Sequence, residues 1–271
     1  MIQDDFERLQ ALMVSRAGFR LGRDRIHLAE HRLAPVARRE GFDSVDDMLA
    51  SLWAKPVASL GWSVIEALLN PETWFRRDRA IFDTFANELL PAIGRARPDG
   101  LVRIWSAGCS HGQEPYSLAM RALETRANVD IVATDLSQRA VDRGRAGSYT
   151  AFEIQRGLSA QAMLNWFDPA EDAWVAKPEL KSAVRFARHN LLDAPADAVQ
   201  FDVILCRNVL SEMDPAKRGQ VIDGLEKRLV DDGVLILGAD ERIDGDTVAF
   251  RPVGGRKGLF VKAPSALSRA A

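Results

Sequence analysis

The densest collection of reactive side chains lies between Trp105 and Ser117, WSAGCSHGQEPYS, directly after the apolar run LVRI. It offers a thiol (Cys109), an imidazole (His111), a carboxylate (Glu114) and the small residues Ala107, Gly108 and Gly112. A phosphate cradle would need a Gly-Lys-Ser/Thr ending, and a nicotinamide fingerprint would need Gly-x-Gly-x-x-Gly; neither is present. Cys109 as a nucleophile would have only His111 as a nearby base, so it reads as a small packing residue. A metal site is disfavoured too. His27, His31, His111 and His189 show no ligand spacing, and the two cysteines, Cys109 and Cys206, stand far apart. What remains is a loop whose small residues, Ala107 and Gly108 above all, let a ligand approach the backbone. Two acids flank it. Glu114 opens a helix, and Asp135 ends the next strand, where a dinucleotide fold binds ribose hydroxyls. A ligand with a ribose and a cationic amino group but no phosphate fits this pair, and S-adenosylmethionine has those features. The competing reading of Glu114 is a charge that complements the helix dipole.

The elements that must position these residues fall into two halves. Residues 5 to about 68 read as helices only. Phe6, Leu9, Leu12 and Met13 recur at helical spacing, as do His27, Leu28, His31, Leu33 and Val36 less cleanly. Asp43, Ser44 and Asp46 cap a further helix. Pro71 then interrupts, a helix is expected to run to Leu90 and stop at Pro91, and GRARPDG reads as a turn. From Leu101 strands and helices alternate. LVRIWSA, VDIVATDLS, AVRFARHNLLD, FDVILCRNVL and VLILGA are strands. EPYSLAMRALET, QRAVDRGRAG and PAKRGQVIDGLEKRLVDDG are helices, the last two with glycine stops. VAFRPVGGRKGLFVKA closes as a hairpin. The fold class is α/β: a parallel sheet with a terminal β-hairpin, preceded by a small all-α domain. One excursion, about 158–182, interrupts it with the helix SAQAMLNWF and then a hairpin or loop. The organisation expected is a helical domain at 1–69, a linker and helix over the ligand site at 70–100, the sheet domain at 101–263, and a disordered tail at 264–271.

Composition excludes more than it assigns. The 271 residues hold 36 Lys+Arg and 38 Asp+Glu, a net charge of −2, so no global field steers the chain to nucleic acid. The N-terminus lacks a basic region and an apolar stretch, so no signal peptide is expected, and no run approaches the roughly 18 apolar residues of a membrane span. A cytoplasmic monomer without membrane insertion is the expectation.

RIWSAGCSHGQEPYSLAM, ATDLSQRAVDRGRAGSY and FDVILCRNVL, with ETWFRRD before them, resemble the CheR family, the chemotaxis-receptor glutamate methyltransferases. The resemblance runs from about Gly18 to Lys262. It implies a Rossmann-like sheet of the class I S-adenosylmethionine-dependent methyltransferases, with S-adenosylmethionine as cofactor and S-adenosylhomocysteine as product. It further implies that Thr73 and Arg77 lie over the cofactor, that Glu114 holds its ammonium and Asp135 its ribose, and that Asn190 and Leu191 lie near the adenine. Arg207 and Asn208 would line the site. The acceptor would be a glutamate carboxylate, already ionised near neutral pH, so no general base is needed and catalysis rests on proximity and orientation. Arg77 is the residue expected to orient the acceptor. Arg16, Arg20, Arg23, Arg25, Arg32, Arg38 and Arg39 would form a basic docking face for the cytoplasmic domain of a chemoreceptor, rather than a nucleic-acid surface.

Several positions depart from the family pattern. Glu212 stands where a tyrosine is expected near the reaction centre, and as an anion it would repel an acceptor carboxylate. Gln113 replaces a common glutamate, with Glu114 retained. The excursion lacks the glycine-rich loop of members that bind a receptor's C-terminal pentapeptide, so pentapeptide-independent action is expected. GADERI differs from the usual ending of the fifth strand. Two alternatives therefore stand beside receptor methylation: a related enzyme with another protein acceptor, and a module that binds cofactor or partner without catalysis.

Overall fold

The computed structural model describes residues 1–194, 199–243 and 247–263; the expected disordered tail lies outside the described residues. The chain divides into two compact units, Met1–Asn70 with Glu212–Arg218, and Pro71–Ser211 with Gly219–Ala271.

The first unit is helical: α1 (Gln3–Ala17), α2 (Ile26–Arg39), α3 (Val45–Ala54) and α4 (Ala58–Leu68). Phe6, Leu9 and Met13 are buried on one stripe of α1, as their spacing predicts. In α2 the pattern is corrected. His27, Leu28 and His31 are exposed, and the buried stripe is Ala29, Leu33, Val36 and Ala37. Two of those four are alanines, which a search for large apolar residues passes over. Ser44 caps α3, its Oγ accepting from the Asp47 N–H at 3.1 Å. Arg32 is also corrected. Its Nη1 donates to the carbonyls of Leu68 and Leu69, both at 3.1 Å, and closes the C-terminus of α4 instead of facing a partner. Residues 212–218 join this unit. The Arg20 N–H donates to the Glu212 carbonyl at 2.9 Å, the Asp214 N–H to the Gly18 carbonyl at 2.8 Å, and Phe19 bridges Met213.

The second unit begins with α5 (Arg79–Thr84), a π-helical turn (Phe85–Leu89) and α6 (Leu90–Ala96). The helix therefore passes through Pro91 and enters GRARPDG. Pro91 sits in the first turn of α6, behind the wide turn in which the Leu90 N–H reaches Phe85, so its missing donor and its ring are tolerated. Then follow β1 (Val102–Ala107), α7 (Gln113–Thr125), β2 (Val129–Asp135), α8 (Gln138–Ala146) and β3 (Ser148–Tyr149). Next come α9 (Ala151–Gln155), α10 (Ala160–Trp166), β4 (Phe167–Pro169), β5 (Trp174–Ala176), α11 (Pro178–Ser182) and β6 (Val184–Arg188). The chain ends with β7 (Phe201–Cys206), α12 (Pro215–Arg228), β8 (Leu229–Leu237), β9 (Phe250–Pro252) and β10 (Leu259–Lys262).

Seven strands form the main sheet in the order β6-β2-β1-β7-β8-β10-β9. The first five are mutually parallel, and the terminal hairpin adds β10 and β9 antiparallel. Ile104, Ile131, Val203 and Ile236 from its centre are nearly inaccessible and belong to one apolar core with Phe82, Phe85 and Leu118. The segment LVDDG, read as the end of a helix, is strand instead. Leu229 is fully buried and pairs with Phe201, and a bulge follows before Val203 pairs Val234. The excursion holds two more helices than expected, α9 and α11. Thr150 and Glu153 form a complete capping box that starts α9, and β3, β5 and β4 make a small antiparallel sheet.

Candidate active site

From β1 the chain moves outward to β2 and β6, then returns to place β7 on the other side of β1. The reversal between β1 and β7 is the switch point at which open parallel sheets bind ligands, beyond the carboxyl ends of the strands. The loop Gly108–Gly112 leaves β1 there. Gly108 has φ +82, and a Cβ on it would stand 2.6 Å from Val209 Cγ2, so only glycine lets this turn pack against the chain after β7. Ser110 also takes a left-handed conformation, with φ 48. It is held there because its N–H donates to Asp135 Oδ2 at 2.8 Å and its Oγ donates to the Pro71 carbonyl at 2.9 Å. Asp135 Oδ1 accepts from the Ser137 N–H at 2.9 Å. The carboxylate at the end of β2 is thus oriented by these two backbone donors.

Arg207, at the end of β7, is the hub. Its side chain is 2% exposed. Its Nη1 donates to Glu114 Oε2 at 2.9 Å, and its Nη2 donates both to the Arg77 carbonyl and to Asp78 Oδ2 at 2.7 Å. Glu114 Oε1 accepts from Ser106 Oγ at 2.8 Å. A buried guanidinium among two carboxylates and a carbonyl has its charge compensated, and it ties the start of α7 to the segment 72–78, a strap leading into α5. Glu114 is therefore more than a dipole complement. Asn208, with φ 59, follows Arg207, and its N–H donates to Glu241 Oε2 at 2.6 Å. Among the described residues Asn208 Oδ1 is buried without a hydrogen-bond donor.

The strap is fastened along its length. The Arg76 N–H donates to Ser117 Oγ at 3.0 Å on α7. The Phe75 ring is fully buried and meets Tyr149 edge-on at 5.0 Å. Thr73 and Arg77 are half-buried. Burial, and then the neighbouring positive charge of Arg207, draw the Arg77 guanidinium below its usual pKa. Asn190 and Leu191 follow β6, next to His189, whose N–H donates to the Asp135 carbonyl at 2.9 Å. Asn190 Oδ1 accepts from the Leu192 N–H at 3.1 Å and shapes that turn. Cys109 is 1% exposed, and burial pushes its thiol well above the usual range, with Asp135 and Glu114 adding to the effect. It is an inert packing residue.

The structure joins Ala107, Gly108, Glu114, Asp135, Asn190, Leu191, Arg207, Asn208 and the backbone of Arg77 around the ends of β1, β2, β6 and β7. Glu212 belongs to the helical unit, where its Oε2 lies 3.4 Å from Arg25 Nη1. Three participants had no assigned role in the sequence. Asp78 was legible as the last residue of ETWFRRD, and Ser106 as the residue before the glycine loop. Glu241 closes GADE, four residues past the strand end.

The profile described as "CheR methyltransferase, SAM binding domain" matches residues 71–259. The chain belongs to the CheR methyltransferase family. Curated relatives extend the match along nearly the whole length. The chemotaxis protein methyltransferase Cher2 of Pseudomonas putida is 32% identical over 268 residues, 96% of this chain and 98% of that one. A chemotaxis protein methyltransferase of Vibrio parahaemolyticus is 34% identical, with 95% of each chain covered. Chemotaxis protein methyltransferase 1 of Pseudomonas aeruginosa is 31% identical over 96% of this chain and 97% of that one. The protein is thus an S-adenosylmethionine-dependent methyltransferase of the chemotaxis type, and the residues at the switch point suit that cofactor. Asp135 can accept from ribose hydroxyls, and the orphaned Asn208 Oδ1 and the carboxylate of Glu114 can accept from an ammonium. Among the described residues no helix is long and apolar enough to cross a membrane.

Proposed function

We propose that this enzyme methylates glutamate side chains in the cytoplasmic domain of a chemoreceptor, independently of a C-terminal pentapeptide tether. S-adenosylmethionine, when bound, supplies a methyl group on a sulfonium centre. The chain's residues do the rest. Asp135 binds the ribose, Glu114 and Asn208 the ammonium, Asn190 and Leu191 flank the adenine, and Ala107 and Gly108 admit the ligand to the backbone. Thr73 and Arg77 cover it from the strap. Arg77 pairs with the acceptor carboxylate and aims an oxygen at the methyl group, so the rate comes from orientation and from exclusion of water. Glu212 reads as a neutralised group rather than a repulsive one, because Arg25 is paired with it. Arg16, Arg20, Arg23 and Arg38 are exposed on the helical unit and suit an acidic receptor helix.

The observation that supports this reading best is the Arg207 hub, which links the acid of α7 to the strap bearing Arg77. Calorimetric titration with S-adenosylmethionine and S-adenosylhomocysteine tests it first. Asp135→Ala should weaken both by about 10²-fold, the worth of about 3 kcal/mol of charge-assisted hydrogen bonding. Wild-type protein incubated with receptor fragments and tritium-labelled cofactor should then yield base-labile label. Base-stable label would move the acceptor away from glutamate.

A further inference from the structure

The excursion between α8 and β6 grips the strap at several points. Trp74 is stacked by two guanidiniums: Arg77 Cζ lies 4.2 Å and Arg156 Cζ 4.0 Å from its ring centroid. Arg156 Nη2 also donates to Glu72 Oε1 at 3.1 Å, while Arg77 Nη1 donates to the Glu72 carbonyl at 3.3 Å. Next to Arg156, Gly157 has φ +108, and a Cβ there would fall 1.8 Å from the Phe75 carbonyl oxygen. The end of α9 therefore lies directly on the strap backbone, where no side chain fits. The Phe75 ring meets Phe167 edge-on at 5.5 Å as well as Tyr149.

We infer that Arg156 is a positioning residue for methyl transfer: it fixes the indole of Trp74, on which Arg77 rests, and so sets where the Arg77 guanidinium stands. This rests on the reading of Arg77 as the group that orients the acceptor. The physical basis is plain. Arg77 is a long side chain with many rotamers, and a planar guanidinium stacked on a fixed ring loses most of them before substrate arrives. An indole is a useful shelf only if it cannot swing. Arg156 holds it by stacking, and its part-exposed bond to Glu72 orients the guanidinium without adding much strength. A lysine could pair with Glu72 but lacks the planar group that stacks. The aromatic grip on Phe75 and the close approach of Gly157 keep the strap backbone in register, which leaves the Trp74 side chain as the part that Arg156 controls.

The test uses the full-length protein, a panel of purified receptor cytoplasmic fragments and tritium-labelled cofactor. The variants are Arg156→Ala, Arg156→Lys, Arg156→Gln, Trp74→Leu, Arg77→Ala and the double variant Arg156→Ala/Arg77→Ala. Arg156→Ala should lower kcat about tenfold or more, the scale of a small misplacement of an orienting group, while S-adenosylhomocysteine affinity stays within about twofold. Trp74→Leu should match it, and Arg156→Lys should recover little. Arg156→Gln, the mildest change, covers the case in which the alanine variant folds poorly. Amide exchange across residues 72–78 in the cofactor-free protein should be unchanged in Arg156→Ala, because Phe75 and Gly157 hold the strap backbone without it. The double variant should be no slower than Arg77→Ala, because Arg156 acts through Arg77. An additive loss in the double variant would overturn the inference, as would an Arg156→Ala kcat equal to wild type while Arg77→Ala is impaired; both leave the reading of Arg77 standing. An unimpaired Arg77→Ala would remove that reading and this inference together.

Discussion

Glu241 is a buried carboxylate, 4% exposed, that accepts from three backbone N–H groups: Asn208 at 2.6 Å, Gly238 at 2.8 Å and Ser211 at 3.0 Å. It holds Asn208 in a left-handed conformation that an asparagine adopts at a cost of order 1 kcal/mol. Glu241→Gln keeps the shape but turns one acceptor into a donor facing an N–H. It should lower unfolding free energy by about 2–3 kcal/mol in urea titrations, since each bond to a charged acceptor is worth about 1.5–3 kcal/mol. S-adenosylhomocysteine affinity should fall with it, because Asn208 loses its fixed place. Unchanged stability would mean that the carboxylate is not the anchor of that loop. Glu212 makes the opposite case. Its side chain and that of Arg25 are 37% and 39% exposed, so their pair is worth at most about 1 kcal/mol. Glu212→Tyr should leave receptor methylation within about threefold of wild type, because Arg25 already offsets the charge that the substitution removes. A large rise in rate would show that the glutamate does handicap the enzyme.

At the scale of elements, the strap 72–78 and the ends of β1, β2 and β7 form one fastened unit, and Arg207 is its fastening. Arg207→Lys replaces a fork that reaches three oxygens by a single ammonium that cannot span them. The expected result is a fall in kcat/KM of about 10²-fold, the effect of moving an orienting group by about 1 Å, with the helical unit's own circular dichroism unchanged. A variant as active as wild type would mean that the strap is held without this clasp. Much of this arrangement was legible beforehand. Asp135 and Glu114 stand at strand and helix ends, where periodicity alone locates them, and ETWFRRD marks the strap. The roles of Asp78, Glu241, Arg156 and Gly157 were not, because each is defined by a partner far along the chain. Arg207 and Asp78 are 129 positions apart, and Arg156 and Glu72 are 84 apart. Local rules likewise misplaced the end of α12, where burial of Leu229 against β7 outweighed the helical run, and the face of α2, where alanines line the core.

Across the whole molecule, Asp232 and Glu153 are carboxyls whose pKa the fold lowers, and stability must follow pH accordingly. Arg97 bonds Asp232 with both Nη atoms, at 2.8 and 2.9 Å, and also pairs with the nearly inaccessible Asp202. Its bonds draw the Asp232 carboxyl below its ordinary value of 3.8. Glu153 is held below 4.5 by the Thr150 donors and Arg143, which outweigh the opposing effect of burial. A group whose folded pKa is depressed stabilises the fold above its unfolded pKa, and that contribution fades as pH falls through the folded one. These groups therefore add nothing to the pH dependence between 6 and 8 and define an acid limb below about 4. Asp232→Asn isolates one of them. Asp232 is 66% exposed, so screening limits its part to under about 1 kcal/mol at pH 7. The difference in unfolding free energy between wild type and Asp232→Asn should be constant above about pH 5 and shrink as pH falls below the ordinary carboxyl range. A difference that stays constant through the acid limb would show that Asp232 titrates alike in the folded and unfolded chains, and that Arg97 is held in place by Asp202 alone.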